Sequence, residues 1–312
     1  MSKTAWLFPG QGTQSVGMGK ALHDASPAAR QVFERADSAL GFGLSALCFG
    51  GPLDELTLTK NAQPAILTTS IAALAALREA IPSLPGPDFG AGHSLGEYSA
   101  LVAAGALDFE DAVRLVRLRG EAMQAAVPEG HGAMAAILGS DEASVRTLCN
   151  DARDAEVLEP ANFNAPGQIV IAGHAGAVKR ASELAGGRKM KAILLNVSAP
   201  FHSPLMGKAA AAVEAALAKV RIAPLAFPVV SNVDGTPNDR ADGVASLLVR
   251  QMDGAVLWEQ SIRFLAEAGV TRALELGPGK VLAGLVKKID KRIAVHGIAD
   301  PDGVAGAPAF LA

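Results

Sequence analysis

Gly92-His93-Ser94-Leu95-Gly96 is a G-x-S-x-G sequence, the pattern of a nucleophile elbow between a strand and a helix. A serine on so sharp a turn is pushed out of the backbone, and the flanking glycines remove the side chains that would clash with it. The hydroxyl then stands open to a base on one side and a substrate carbonyl on the other. So short a pattern also recurs by chance, and its meaning rests on what surrounds it. Before it, Phe89-Gly90-Ala91 is glycine-rich for a strand and reads as one only from context. After Ser94 a helical stretch runs through Tyr98 and Ala103.

Outward from the elbow, short β-rich runs alternate with long Ala/Leu-rich helical runs, which predicts an α/β fold with a largely parallel sheet. Trp6-Leu7-Phe8 ends at the turn Pro9-Gly10-Gln11-Gly12, and residues 63–80 read as a buried helix closed by Ile81-Pro82. The middle differs. Strand 133–138, helix 141–151, strands 156–162 and 168–172, helix 175–185 and strand 191–197 give the order βαββαβ, a ferredoxin-like arrangement. The α/β pattern then resumes with helix 206–220, strand 227–231, helical runs 244–252 and 262–268, and strands 272–276 and 293–298. The expected architecture is an α/β-hydrolase-like large part with a parallel sheet, residues 1–127 and 200–312. A ferredoxin-like small part, residues 128–199, is inserted into it. The Ala/Gly/Pro-rich tail from Asp300 is expected to be loose.

The chain of 312 residues can bury an ample core as one large domain or two modest ones. Half its residues are apolar and 19% are charged, which excludes a disordered chain. A net charge of -3 gives no global pull toward nucleic acid. Two cysteines without paired spacing, Cys48 and Cys149, indicate neither a disulfide framework nor a zinc site, as suits a reducing cytoplasm. The N-terminus lacks an export segment, and the run from Ala65 to Leu77 is too short to span a bilayer. A soluble cytoplasmic protein is expected.

A serine hydroxyl needs a general base within reach. Six histidines are available. His93 adjoins the nucleophile, so its side chain should point away and support the turn. His23, His131 and His174 sit in polar or glycine-rich contexts and read as solvated, and His296 lies in an apolar strand as a core histidine would. His202, in Ser198-Ala199-Pro200-Phe201-His202-Ser203-Pro204, is held by two prolines where the small part would rejoin the large one. From its surroundings it is either the base or an ordinary loop histidine.

On a helix from Asp111 to Val127, advancing about 100° per residue, Ala112, Val116, Met123, Ala126 and Val127 share one stripe. Arg119 falls inside that apolar stripe. A guanidinium there is either in a structural ion pair or waiting for a substrate carboxylate, whose planar fork it matches. Gly277-Pro278-Gly279-Lys280 lacks the Ser/Thr and upstream glycine of a phosphate-binding loop, and Gly10-Gln11-Gly12 lacks the third glycine of a dinucleotide fingerprint. The basic runs 188–191 and 287–292 are solvated faces, or docking places for an acidic partner or a CoA phosphate.

Together the segments Phe8–Gln14, Gly92–Tyr98, Val116–Gly120, Asn162–Gln168, Val197–Met206 and Val249–Gln251 resemble the malonyl-CoA:acyl carrier protein transacylases of fatty-acid synthesis, over nearly the whole chain. The resemblance implies Ser94 as nucleophile and His202 as base, with the main-chain carbonyl of Gln251 orienting the imidazole in place of an Asp. It implies an oxyanion hole from the backbone N–H groups of Gln11 and Leu95, and Arg119 against the free carboxylate of malonate. His93 and Asn162 are implied as supporting residues, and the bulk of Phe201 as opposing an α-methyl substituent. The implied partners are malonyl-CoA and acyl carrier protein, with no nucleic acid, no membrane, no metal and no cofactor, in a monomer. The rivals are a stand-alone acyltransferase of a polyketide synthase and a carrier-protein-binding module without turnover. A serine (thio)esterase, the remaining rival, would need the late His296.

Overall fold

Apolar side chains along the last four residues of β1 (Lys3–Phe8) are buried, as a strand covered on both faces requires. The computed structural model describes residues 2–197 and 199–312. Strand β1 pairs in parallel with β2 (Phe89–Gly92), with Phe8 opposite Gly92, so the turn after β1 and the elbow lie side by side. The glycines of β2 have a steric cause: a Cβ at Gly90 would stand 2.8 Å from the Phe227 ring.

Next come β3 (Gly132–Leu138), β4 (Leu158–Ala165), β5 (Gln168–His174) and β6 (Lys191–Leu194), an antiparallel sheet in the order β4-β5-β3-β6. Helices Glu142–Arg153 and Ala175–Gly187 supply its crossovers and close a separate small core around Ile137, Leu148 and Ile171. This is the ferredoxin-like order predicted from the sequence. The chain then returns through β7 (Val229–Val230), β8 (Pro237–Asn238), β9 (Val270–Leu276) and β10 (Ala294–Ile298). These complete a six-stranded sheet, β10-β9-β1-β2-β7-β8, parallel except for β8. The long helix Thr59–Ala80 is buried along most of its length and packs against helices Pro27–Leu40 and Phe109–Ala125. Among the described residues no helix is long and apolar enough to cross a membrane.

Some expectations need correction. The predicted strand 227–231 is paired only at Val229–Val230, and β6 stops at Leu194. The helix expected from Met206 opens as a 3-10 turn, Pro204–Met206, before Gly207–Leu217. Ser198, which opens the quoted His202 loop, lies outside the described residues. The Gly277–Lys280 turn does precede a helix, Val281–Ile289, but buried Glu275 fills its N-terminus by accepting from the N–H groups of Leu282 and Ala283.

The largest departure is the tail, which is helical from Pro301 to Leu311. Asp300 caps it by accepting from Gly303 N at 2.8 Å, Pro301 occupies the first turn, and Ala307 is fully buried. Arg272 Nη1 closes the far end on Leu311 O at 2.6 Å. Capping and burial override a composition that favours disorder. Asp300→Ala should cost about 1 kcal/mol. Amide exchange should then quicken in residues 301–311 while helix Thr59–Ala80 is unchanged; uniform exchange would mean the cap does not hold the tail.

Candidate active site

Ser94 sits at the N-cap of helix Leu95–Ala103 with φ 51° and ψ -104°, a strained conformation for a residue with a side chain. The flanking glycines permit it. A Cβ at Gly92 would overlap the Gly96 backbone, and one at Gly96 would overlap the Phe8 carbonyl. Asn232, just beyond β7, staples the turn shut. Its Oδ1 accepts from Ser94 N at 2.6 Å and its Nδ2 donates to Gly92 O at 2.7 Å. Asn232 was missed from the sequence, although a polar residue at the carboxyl end of a parallel strand is where sites of this architecture form.

His202 faces the elbow, again from a left-handed backbone, φ 58°. The Ser94 hydroxyl donates to Nε2 at 2.7 Å, and Nδ1–H donates to the Gln251 main-chain carbonyl at 2.8 Å. That carbonyl fixes the tautomer in which Nε2 can accept a proton, the part an aspartate plays in other triads. Burial first, then the charge of Arg119, pushes the imidazole pKa down to about 3, with the Gln251 carbonyl opposing.

Arg119 is buried to 1% exposure between Ala112, Val116 and Met123. The ion-pair alternative does not hold: among the described residues no carboxylate forms a salt bridge with it. Its hydrogen bonds go to neutral oxygens, Nη1 to Gln63 Oε1 at 2.9 Å and Nη2 to Gln251 Oε1 at 2.8 Å and Ser94 Oγ at 3.1 Å. The guanidinium also lies 5.3 Å from the Tyr98 ring centre. Burial lowers its pKa, but a guanidinium stays charged in a protein. A buried cation whose direct hydrogen bonds all go to neutral oxygens can still accept an anion as a partner.

Gln251 therefore serves twice. Besides its carbonyl, its side chain bridges Arg119 to Glu97, with Nε2 donating to Glu97 Oε2 at 2.7 Å and to Ser94 O at 2.9 Å. The turn carrying Gln11 lies against the elbow, where a Cβ at Gly10 would overlap the His93 carbonyl. Gln11 Nε2 anchors that turn on Thr59 Oγ1 at 3.1 Å. Among the described residues the main-chain N–H of Gln11 makes no backbone hydrogen bond outside helices and strands. His93 Nε2 points away to Asn164 Oδ1 at 2.7 Å, so the elbow is tied to β4. The residue that reaches His93 is thus Asn164; Asn162 is buried on the same strand, bridged to Val256. Phe201 is buried beside His202.

The other histidines lie elsewhere. His296 Nε2 meets Gly303 O at 2.8 Å, and His131 is exposed. Two read as solvated are partly committed. His23 packs on Phe33 and Phe49, and His174 Nδ1 accepts from Val157 N at 3.0 Å. Among the described residues no group of three or more His, Cys, Asp or Glu could hold a metal ion.

Glu97 was also missed, since a glutamate in a helix's first turn ordinarily faces water. Here it is buried, and burial raises its pKa from 4.5 to about 7. Between those values the native state keeps a proton that the unfolded chain has released, so stability falls as pH rises through that window. Glu97→Gln, neutral and similar in shape, should lose that decline. Denaturation at about pH 5 and about pH 8 checks it, and an unchanged slope would place the titration elsewhere.

Residues 5–301 match the acyl transferase domain family. A malonyl CoA-acyl carrier protein transacylase of Bacillus subtilis is 50% identical over 307 residues, 97% of this chain and 96% of its own length. The malonyl CoA-acyl carrier protein transacylase structure from Coxiella burnetii superposes with TM-score 0.97 at 40% identity, covering 99% of this chain and 98% of that one. A malonyl-transacylase solved in complex with its type II PKS acyl-carrier protein gives TM-score 0.95 at 42% identity over 98% of this chain and 99% of that one. Matched end to end in both sequence and fold, the chain belongs to the acyl transferase domain family and, within it, to the malonyl CoA-acyl carrier protein transacylases.

Proposed function

We propose that the protein moves the malonyl group from malonyl-CoA to the phosphopantetheine thiol of acyl carrier protein, through a malonyl ester on Ser94. The observation that carries this reading is a buried guanidinium, Arg119, 3.1 Å from the same Oγ that His202 activates. A hydrolase needs only the second of these contacts. An enzyme for acyl groups that end in a carboxylate uses both.

His202 Nε2 takes the Ser94 proton as Oγ attacks the thioester carbonyl. The N–H groups of Gln11 and Leu95 receive the oxyanion, where loss of one donor costs about 10²–10³ in rate. Collapse breaks the C–S bond, and the CoA sulfur leaves with the proton from Nε2. The carrier thiol then enters, gives its proton to Nε2 and takes the malonyl group, which predicts ping-pong kinetics. Phe201, buried before His202, is assigned to exclude α-branched acyl groups. The reaction is written with malonyl-CoA as a substrate and needs no metal or cofactor, in a monomer working in the cytoplasm. Of the two basic runs, Arg188 is paired with Asp151, Arg292 with Asp290, and Lys288 donates to Gln168 Oε1 at 3.1 Å, which leaves Lys189, Lys191, Lys287 and Lys291 to meet acidic groups of the carrier.

The esterase rival loses its base, because His296 is bonded to Gly303 O while His202 holds Ser94. A polyketide carrier is a second reading, favoured by the 42% identity to a transacylase solved with such a carrier. Kinetics with the two carrier types would separate them. Intact mass after mixing with malonyl-CoA should show one malonyl adduct, absent in Ser94→Ala. Hydrolysis without an adduct would sink the transfer reading. Arg119→Ala should lose about 2–5 kcal/mol of transition-state stabilisation for malonyl-CoA, read as kcat/KM, and shift preference toward acetyl-CoA. Unchanged selectivity would return Arg119 to a structural role.

A further inference from the structure

Arg119 touches the nucleophile as well as the place assigned to the carboxylate, and this inference rests on the transferase reading. A guanidinium has five N–H donors. Nη2 commits both of its hydrogens, to Ser94 Oγ and Gln251 Oε1, and Nη1 commits one, to Gln63 Oε1. Nε is buried with no partner. A carboxylate can grip a guanidinium through Nη1 and Nη2 or through Nε and Nη2, and either fork takes a hydrogen from Nη2. The Gln251 acceptor cannot turn aside, because its Nε2 is fixed on Glu97 Oε2 and Ser94 O. At 3.1 Å against 2.8 Å, the contact with Ser94 is the longer and the one free to break.

We propose that the carboxylate of the acyl group switches on the Ser94–His202 pair, by drawing Nη2 away from Ser94 Oγ and neutralising the charge beside the base. During acylation the Oγ proton moves to His202 Nε2, the Oγ–C bond forms, the C–S bond breaks and the sulfur takes that proton. While Nε2 holds it, two cations share one buried site, and like charges there oppose each other. Arg119 already depresses the basicity of His202. An acyl group ending in carboxylate removes that opposition as it binds, and an acetyl group leaves it in place. Selectivity then arises at the chemical step and not only in binding.

The test supplies the malonyl group in two pieces, acetyl-CoA with formate as the separate carboxylate. The rate of Ser94 acetylation is followed by rapid quench and intact mass, against chloride at equal ionic strength. Formate should accelerate wild type saturably, on the order of tenfold, the factor one unit of base pKa represents. It should not accelerate Arg119→Gln, which should be acetylated faster than wild type with no formate at all. Arg119→Lys, which keeps the charge, should stay slow, and Arg119→Met replaces the Gln variant if that one does not fold. An acetylation rate that stays flat or falls at formate levels that slow malonyl-CoA would overturn the proposal. So would a neutral variant no faster than wild type. Absence of any malonyl adduct on wild type would overturn the transferase reading instead.

Discussion

A guanidinium held in the core by three neutral oxygens organises this molecule. Burying a charge with no carboxylate in direct contact is costly, and the cost is bearable only if the hydrogen bonds around it are fixed in advance. Gln63 comes from the long buried helix, Ser94 from the elbow and Gln251 from the helix Ala241–Asp253, so one side chain draws three separate elements together. Gln251 matters most among them. Its amide has a cation on one side and the Glu97 carboxylate on the other, so oxygen and nitrogen cannot exchange places. The same residue's carbonyl fixes His202, which ties the orientation of the imidazole to the placement of the charge.

Ser94 and His202 both occupy positive-φ backbone conformations, which cost on the order of 1–3 kcal/mol each and persist only where their surroundings enforce them. At Ser94 the enforcement is local: two glycines at van der Waals limits and the Asn232 staple. At His202 it comes from its loop, where Ser203 Oγ donates to Pro200 O at 2.7 Å and the Gln251 carbonyl holds the ring. The small antiparallel sheet contributes to both. Its β4 anchors His93 through Asn164, and the chain leaving β6 carries His202 back to the elbow.

What could be read from the sequence was whatever leaves a local trace. The elbow is a five-residue pattern, Arg119 breaks a helical stripe, and the ferredoxin-like order follows from alternating runs. Gln63, Glu97, Asn164 and Asn232 leave no such trace, because each is a polar residue whose burial is decided by a partner distant in the chain. The terminal helix was hidden by composition, although its Asp-Pro start is a capping signal that Asp300 and Pro301 carry openly. The glycines of β2 misled in the opposite direction. They weaken the strand as a local propensity, yet the Phe227 ring and the elbow backbone leave room for nothing else at Gly90 and Gly92.

Charge placement explains why the site uses a carbonyl where many serine enzymes use an aspartate. A carboxylate hydrogen-bonded to His202 Nδ1 would raise the basicity of the imidazole whatever acyl group arrived, and would also offer Arg119 an internal partner. The Gln251 carbonyl orients the ring without a full charge, and the carboxylate that is present, Glu97, lies behind the Gln251 amide, raised by burial to a pKa of about 7. Among the described residues Arg119 thus has no carboxylate in direct contact and directs its charge at Ser94. In the proposed function, the negative charge that completes the site is left for the substrate to bring.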